Sequence, residues 1–589
     1  MRRFLRSKIR WKDGKEHRSW SVVENRRVRG GRVVQRHVLH LGEINDSQRA
    51  AWARAIEIFG DGGGAKQIAL FPEDRVAPAL PCDVVSIRLS GMRLRRPRQW
   101  GACWLAMLLW DQLRLDDFWR PRLPPSREGA DWLNVLKTLV VYRLIDPGSE
   151  WRLRRHWFEH SAMGDLLGED AALVQPNTLY RCLDLLLAHK ARLFTFLRER
   201  WKDMFQADFD VLLYDLTSTY FECDPPEAGK RNHGYSRDKR PDCVQVVIAL
   251  VITPDGFPLA YEVMDGNTSD KTTLKAFLSK IETQYGRAKR TWVMDRGIPT
   301  EDVLAEMRNA PTPIRYLVGT PRGRLTKLEQ ALAGKPWQDV RESVRVKLVE
   351  DGDETYVLAC SEGRREKEQG MRRRRLRKLI KRLRQLQGQA LTRDELLLKL
   401  GAAKKEAGKA YGLLAIKTPA KDEPVTPQTF RFSLDRNKLC EARRREGCYL
   451  LRSNIAADDP AHLWSLYLHL VEIEQAFKEL KSDLAIRPIH HQLENRIEAH
   501  IFVAFLAYCL MVTLKQRLKA LAPGLTPRAV IEKLAAIQMI DVELPTTDGR
   551  MIVLPRHTEP EDDHRLLPQL LKLDLPAQPP PKITASLQN

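Results

Sequence analysis

Phe209-Asp210-Val211-Leu212-Leu213-Tyr214-Asp215, Val244-Gln245-Val246-Val247-Ile248-Ala249-Leu250-Val251-Ile252 and Thr291-Trp292-Val293-Met294-Asp295 are three strongly apolar segments in the middle of the chain. The first is an apolar strand that ends in an aspartate. The second is apolar apart from Gln245, the pattern of a buried strand. Pro254-Asp255-Gly256 turns the chain tightly into a third strand, Phe257 to Met264. Thr268-Ser269-Asp270 then caps a helix in which Leu274, Phe277, Leu278, Ile281 and Tyr285 recur at helical spacing. The third quoted segment is a fourth strand, again closed by an aspartate. A helix from Pro299 to about Asn309 and a fifth strand, Ile314 to Gly319, complete a β-β-β-α-β-α-β order. That order predicts an α/β mixed sheet with helices on its faces.

Outward from this core the chain divides by pattern. Residues 1–95 are basic and β-leaning, with Trp20 to Val28 and Arg32 to Leu41 flanking a Gly30-Gly31 turn crowded by Arg26, Arg27, Arg29, Arg32 and Arg36. Residues 96–206 are α-helical, and Gln175-Pro176-Asn177-Thr178 opens a helix that can serve either a DNA groove or internal packing. The first part of the core spans 207–324. Residues 325–460 read as an insertion of short strands plus a basic helix, with twelve basic and two acidic residues between Arg364 and Arg384 and an apolar stripe at Leu376, Leu379, Leu383 and Leu386. Residues 461–523 supply helices that complete the core, and 524–589 form a C-terminal region with a Pro-rich tail.

Composition limits the function. The 589 residues are 43% hydrophobic and 30% charged, an ordinary globular balance. Lys plus Arg exceeds Asp plus Glu, 98 − 76 = +22, which suits a polyanionic partner. The longest apolar run, Ile501 to Leu514, falls short of the roughly 20 residues of a spanning helix. It reads as a core helix, so no membrane is expected as partner. The basic start lacks an apolar h-region, so a cytoplasmic protein is expected. Nine scattered cysteines predict free thiols, and the nearby pair Cys440 and Cys448 reads as incidental. No phosphate-cradling Gly-x4-Gly-Lys motif occurs, so no nucleotide cofactor is expected, and Gly60-Asp61-Gly62-Gly63-Gly64 is a short loop. His490, His491, Glu494, Glu498 and His500 read as the polar start of the apolar helix rather than as a metal cluster.

Asp215 and Asp295 close the first and fourth strands, which can lie side by side. Paired carboxylates call for a cation between them, and hard oxygen ligands suit Mg2+. In Tyr467 to Lys481, the residues Tyr467, Glu474 and Lys481 are seven apart, so a single helix would show them on one face. Glu474 is then the third carboxylate. Glu472 and Glu479 are its rivals.

These residues resemble the insertion-sequence transposases of the DDE type, in the group with a Tyr-x2-Arg-x3-Glu-x6-Lys signature. The resemblance lies in Tyr214 to Phe221, Val293 to Gly297 and Tyr467 to Lys481, and extends to Gly234 to Asp238 and Asp265 to Thr268. It implies a ribonuclease-H-like catalytic core interrupted by a β-rich insertion, in a bacterial, nucleoid-associated protein. The implied catalytic and metal-binding residues are Asp215, Asp295 and Glu474. They would hold two Mg2+ ions, with Mn2+ as a substitute, about 3.5 to 4 Å apart. Water would cut the DNA at the element's terminal inverted repeats, and the freed 3′-OH would attack target DNA. Tyr467, Lys481 and the basic helix with Arg372, Arg373, Arg374 and Arg375 would contact DNA, and a homodimer would join two ends in a synaptic complex. Glu474 alone keeps the signature's spacing to both Tyr467 and Lys481. The signature arginine falls on Leu470, with Arg487 and Arg496 as candidate substitutes. A metal-dependent nuclease without strand transfer, or an inactive basic DNA-binding protein, are the alternative readings.

Overall fold

The computed structural model describes residues 3–12, 15–27, 33–42, 49, 87–126, 129–268, 270–285, 290–320, 328, 331, 335–421, 423–456 and 459–584. The Gly30-Gly31 turn, the loop at 60–64 and Ser269 of the helix cap lie outside them. Strands β1 (Arg3–Lys12), β2 (Lys15–Arg27) and β3 (Val33–Gly42) form an antiparallel sheet of their own. The sequence reading had only its second and third strands.

After β4 (Arg93–Gln99) the chain is helical through α1 (Gly101–Gln112), α2 (Trp132–Ile145), α3 (Pro176–Leu186) and α4 (Lys190–Phe205). The core then runs β5 (Val211–Phe221), β6 (Val244–Ile252), β7 (Pro258–Asp265), α5 (Asp270–Tyr285), β8 (Thr291–Met294), α6 (Glu301–Asn309) and β9 (Arg315–Thr320). This is the expected order. Every residue of β6 is buried, as its run, apolar apart from Gln245, requires. β8 lies parallel between β5 and β9, whereas β6 and β7 are antiparallel, so the sheet is mixed.

The segment read as an insertion does more than interrupt the sheet. Strands β10 (Gln338–Arg341), β11 (Val344–Asp351) and β12 (Glu354–Ser361) extend it. Helices α7 (Glu362–Gln387) and α8 (Arg393–Ala407) and the small pair β13 (Leu414–Lys417) and β14 (Arg431–Leu434) follow, before β15 (Cys448–Ser453) returns to the sheet. The nine strands lie in the order β10-β11-β12-β15-β9-β8-β5-β6-β7. The stretch between β12 and β15 has a core of its own, built from Leu376, Leu379, Leu383 and Leu386 of α7 against Leu396, Leu400 and Ala403 of α8. Cys360 and Cys448 face each other across β12 and β15 and are joined as a disulfide, which corrects the expectation of free thiols throughout. They are 88 residues apart in sequence, and only the strand pairing brings them together.

The chain then forms α9 (Pro460–Leu468), α10 (Leu470–Lys478) and α11 (Glu494–Leu521). α11 is long and apolar enough to cross a membrane, and 94% of its apolar window is buried inside the protein. It packs against α1, α2 and α3, so the helical region and the sheet share one continuous core. Strands β16 (Gln538–Pro545), β17 (Met551–His557) and β18 (Lys582–Thr584) join β4 in a separate four-stranded sheet. Arg98 of β4 is buried there, bonded to Asp541 at 2.8 Å and Asp165 at 2.6 Å.

Candidate active site

β5 and β8 pair in register from Val211 with Thr291 to Tyr214 with Met294, so Asp215 and Asp295 are each the next residue beyond that pairing; β5 itself runs on to Phe221 against β6, which corrects the expectation that Asp215 ends its strand. Alternation along β5 separates the neighbours: Tyr214 packs toward α5, its ring 5.5 Å from Phe277, and Asp215 takes the other face, where α10 lies across the strand. Ile473, Ala476 and Phe477 are buried on α10, which leaves Glu474 on its open side. Asp215, Asp295 and Glu474 line one cleft of about 350 Å3. Partial burial and the charge of Asp295 both push the Glu474 carboxyl above its ordinary range. The rivals are placed elsewhere: Glu472 pairs with Lys515 at 2.7 Å, and Glu479 is buried beside Gln475.

This crowding of anions has a consequence for stability. A carboxyl whose pKa is raised on folding stabilises the fold below its unfolded pKa and loses that contribution as pH rises through the folded value. Glu474→Gln is therefore expected to melt slightly higher than wild type at pH 7 without divalent metal, by about 1 to 2 °C, with the gap closing toward pH 4. Thermal unfolding across that pH range checks it; a variant that melts lower at pH 7 would contradict it.

Tyr467 is held in the same cleft, its hydroxyl donating to Asp295 Oδ1 at 3.2 Å. Burial and the neighbouring carboxylate both raise the phenol's pKa, so it stays protonated as a donor. Its ring lies 6.1 Å from that of Tyr449, whose own hydroxyl accepts from Trp464 Nε1 at 2.6 Å. Gly319 makes room for it, because a Cβ there would sit 2.5 Å from the Tyr467 hydroxyl oxygen. Gly319→Ala is expected to push the phenol off Asp295 and to slow any chemistry in the cleft about tenfold, one lost hydrogen bond to a charged group. Single-turnover rates check this, and an unchanged rate would make the contact incidental.

The seven-residue spacing does not hold one face. The helix breaks at His469 between α9 and α10, and α10 runs into a wide π-type turn, Glu479–Asp483. Lys481 therefore stands apart from the cleft lining, largely buried and paired with Asp238 at 2.7 Å. Arg487 bonds the same carboxylate, and Arg496 pairs with Asp184. Neither candidate substitute for the signature arginine lines the cleft; Arg296 and Arg364 do, beside Leu470. Asp238 lies in the Gly234 to Asp238 block, but spacing alone did not reveal its partners. On α7, Arg372 is nearly buried and bonds Glu446 at 2.5 and 3.1 Å, whereas Arg373, Arg374 and Arg375 are exposed.

The polar start of α11 is also more organised than expected. Glu150, His491 and His500 converge in the interior, with His491 Nε2 at 3.1 Å from Glu150 and ligand atoms within 4.8 Å of one another. Burial, together with Arg143 beside it, lowers the His500 pKa to about 4. The imidazole is neutral at pH 7, and the buried Arg143 guanidinium already offsets Glu150. Charge is balanced there without an ion.

Residues 209–510, just over half of the chain, match the family described as the transposase DDE domain. Residues 5–57 match the IS1634 family transposase N-terminal domain. Against curated proteins the chain has no match. Among solved structures it is similar to the piggyBac transposase in its synaptic complex with hairpin DNA, at 10% identity and a TM-score of 0.32, covering 75% of this chain and 81% of that one.

Proposed function

The chain belongs to the insertion-sequence transposases with a DDE domain, and from that premise we propose that it cuts DNA at the terminal inverted repeats of its element and joins the freed 3′-OH to target DNA. The observation that carries this reading is the convergence of Asp215, Asp295 and Glu474 in one cleft. Three carboxylates lining one cleft, Glu474 with its proton affinity raised by burial and by Asp295, are a donor set suited to hard divalent ions. They would hold Mg2+, or Mn2+ in its place, whose chemistry is to promote ionisation of the attacking oxygen and to offset charge on the leaving oxygen.

The protein's own groups orient this site. Tyr467 fixes one oxygen of Asp295 by donating to it, so that carboxylate cannot swing freely. The parallel pairing of β5 and β8 sets the separation of the two aspartates, and the buried face of α10 sets the approach of Glu474. Arg373, Arg374 and Arg375 would track DNA phosphates away from the cleft. Two ends have to be brought together, so a homodimer assembled on DNA fits the reaction. We assign the chain to the Tyr-Arg-Glu-Lys group on the Tyr467, Glu474 and Lys481 spacing.

The test is strand transfer. The full chain with Mg2+, a DNA end carrying the inverted repeat and a second DNA is expected to yield a covalently joined product. Cutting without joining would mark a nuclease, and binding with neither would mark an inactive DNA-binding protein.

A further inference from the structure

Besides Arg296, the cleft that holds the three carboxylates contains a cation brought by the helix that follows β12. We propose that Arg364, in the first turn of α7, binds the phosphate being cut and offsets the charge that develops on it; this deepens the reading of the cleft as a DNA-cutting site and rests on it.

Two contacts place the residue, and the groups it touches are themselves anchored. Its guanidinium lies 4.7 Å above the Tyr449 ring, a favourable seat for a planar cation. Its Nε donates to Glu368 Oε1 at 3.2 Å, one helical turn along. Glu368 is itself anchored, because its other oxygen accepts from the Gly447 amide at 3.1 Å. Tyr449 is held by Trp464 and packs toward Tyr467, which bonds Asp295. Arg364 is thus braced against the framework that positions a catalytic carboxylate, and it lines the cleft with Asp215, Asp295 and Glu474.

An ordinary surface ladder between Arg364 and Glu368 would be worth little and would need neither the ring nor the cleft. Here the bond to Glu368 uses Nε only, and the side chain keeps 43% exposure at the rim of the cleft. A fork of guanidinium donors matches phosphate geometry. Leu470, on the same lining, brings no charge to it. In the cutting step the water oxygen forms a bond to phosphorus, the bond to the 3′ oxygen breaks, and that oxygen leaves as 3′-OH with the proton lost by water. Arg364 transfers no proton. It binds the non-bridging oxygens while negative charge builds on them.

The test uses full-length wild type, Arg364→Ala, Arg364→Lys and, as the chemistry-dead reference, Asp295→Asn, on DNA carrying the element's end with Mg2+. Arg364→Ala is expected to slow single-turnover cutting about 100-fold, with end binding within a few fold. The slope of log affinity against log salt should become shallower by about 1. Arg364→Lys should recover part of the rate, because it restores charge without the fork. Unaltered melting would separate these effects from misfolding. Wild-type cutting by Arg364→Ala, or a lost rate that follows a lowered melting temperature and is not recovered by Arg364→Lys, would overturn the proposal. If wild type itself does not cut, the functional reading fails and this inference fails with it.

Discussion

Asp295→Asn is expected to lower the cutting rate at least about 1000-fold, equivalent to roughly 4 kcal/mol of barrier, while end binding stays within a few fold. The substitution removes a charge and almost no volume. Asn keeps an oxygen where Tyr467 donates, so the hydrogen bond at 3.2 Å and the local packing can persist. What is lost is the anion facing Asp215 across the paired ends of β5 and β8. Because that anion also repels DNA phosphates when no cation is present, binding in chelator should hold steady or tighten. Cutting at the wild-type rate by the purified variant would remove Asp295 from the site.

The next largest effect is expected on the exposed basic face of α7. Replacing Arg373, Arg374 and Arg375 together by Ala should reduce the magnitude of the salt slope by about 2 to 3, since each phosphate contact contributes close to 0.9. At 0.1 M salt this corresponds to a loss of affinity of roughly 100-fold. These three side chains are exposed, whereas Arg372 is tied to Glu446, so the triple variant leaves the packing of α7 in place. Leu376, Leu379 and Leu383 still bury their face. Binding isotherms at several salt concentrations measure the effect, and an unchanged slope would make the run a solvated face. Arg372→Ala should instead leave the slope alone and strip Glu446 of its partner.

Much of the core was legible because its chemistry is local. A strand buried at every position, such as Val244–Ile252, has to be almost wholly apolar, its one polar residue, Gln245, bonding Gly266 O, and a tight turn before Phe257 has few alternatives to Asp-Gly. Asp215, within β5, and Asp295, just past β8, could be paired from element order alone, since a β-β-β-α-β run lets its first and fourth strands meet. The seven-residue argument reached Glu474 and stopped there. It assumed an unbroken helix, and the break at His469 with the π-type turn at Glu479–Asp483 carries Lys481 to Asp238 instead.

Other features depend on contacts between distant segments. Nothing in the spacing separates Arg364 from Arg365; both belong to a basic run that reads as a solvated helix. The pairing of β12 with β15, and of β15 with β9, puts the first turn of α7 at the cleft. The same pairing joins Cys360 to Cys448. The sheet of β4 with β16 is equally non-local, its buried Arg98 meeting Asp541 from the other end of the chain. The convergence of Glu150 with His491 and His500 also follows from packing, here of the helical region on α11.

Asp215, Asp295 and Glu474 are proposed to form one metal-dependent cutting site. It is tested most directly by Mg2+-dependent nicking of DNA carrying the flanking inverted repeats, using purified wild type and Glu474→Gln and mapping products to the nucleotide. Cuts at the repeat boundary are expected from wild type, none from Glu474→Gln, and equal binding from both. Cuts by Glu474→Gln at the wild-type rate and position would contradict the proposal.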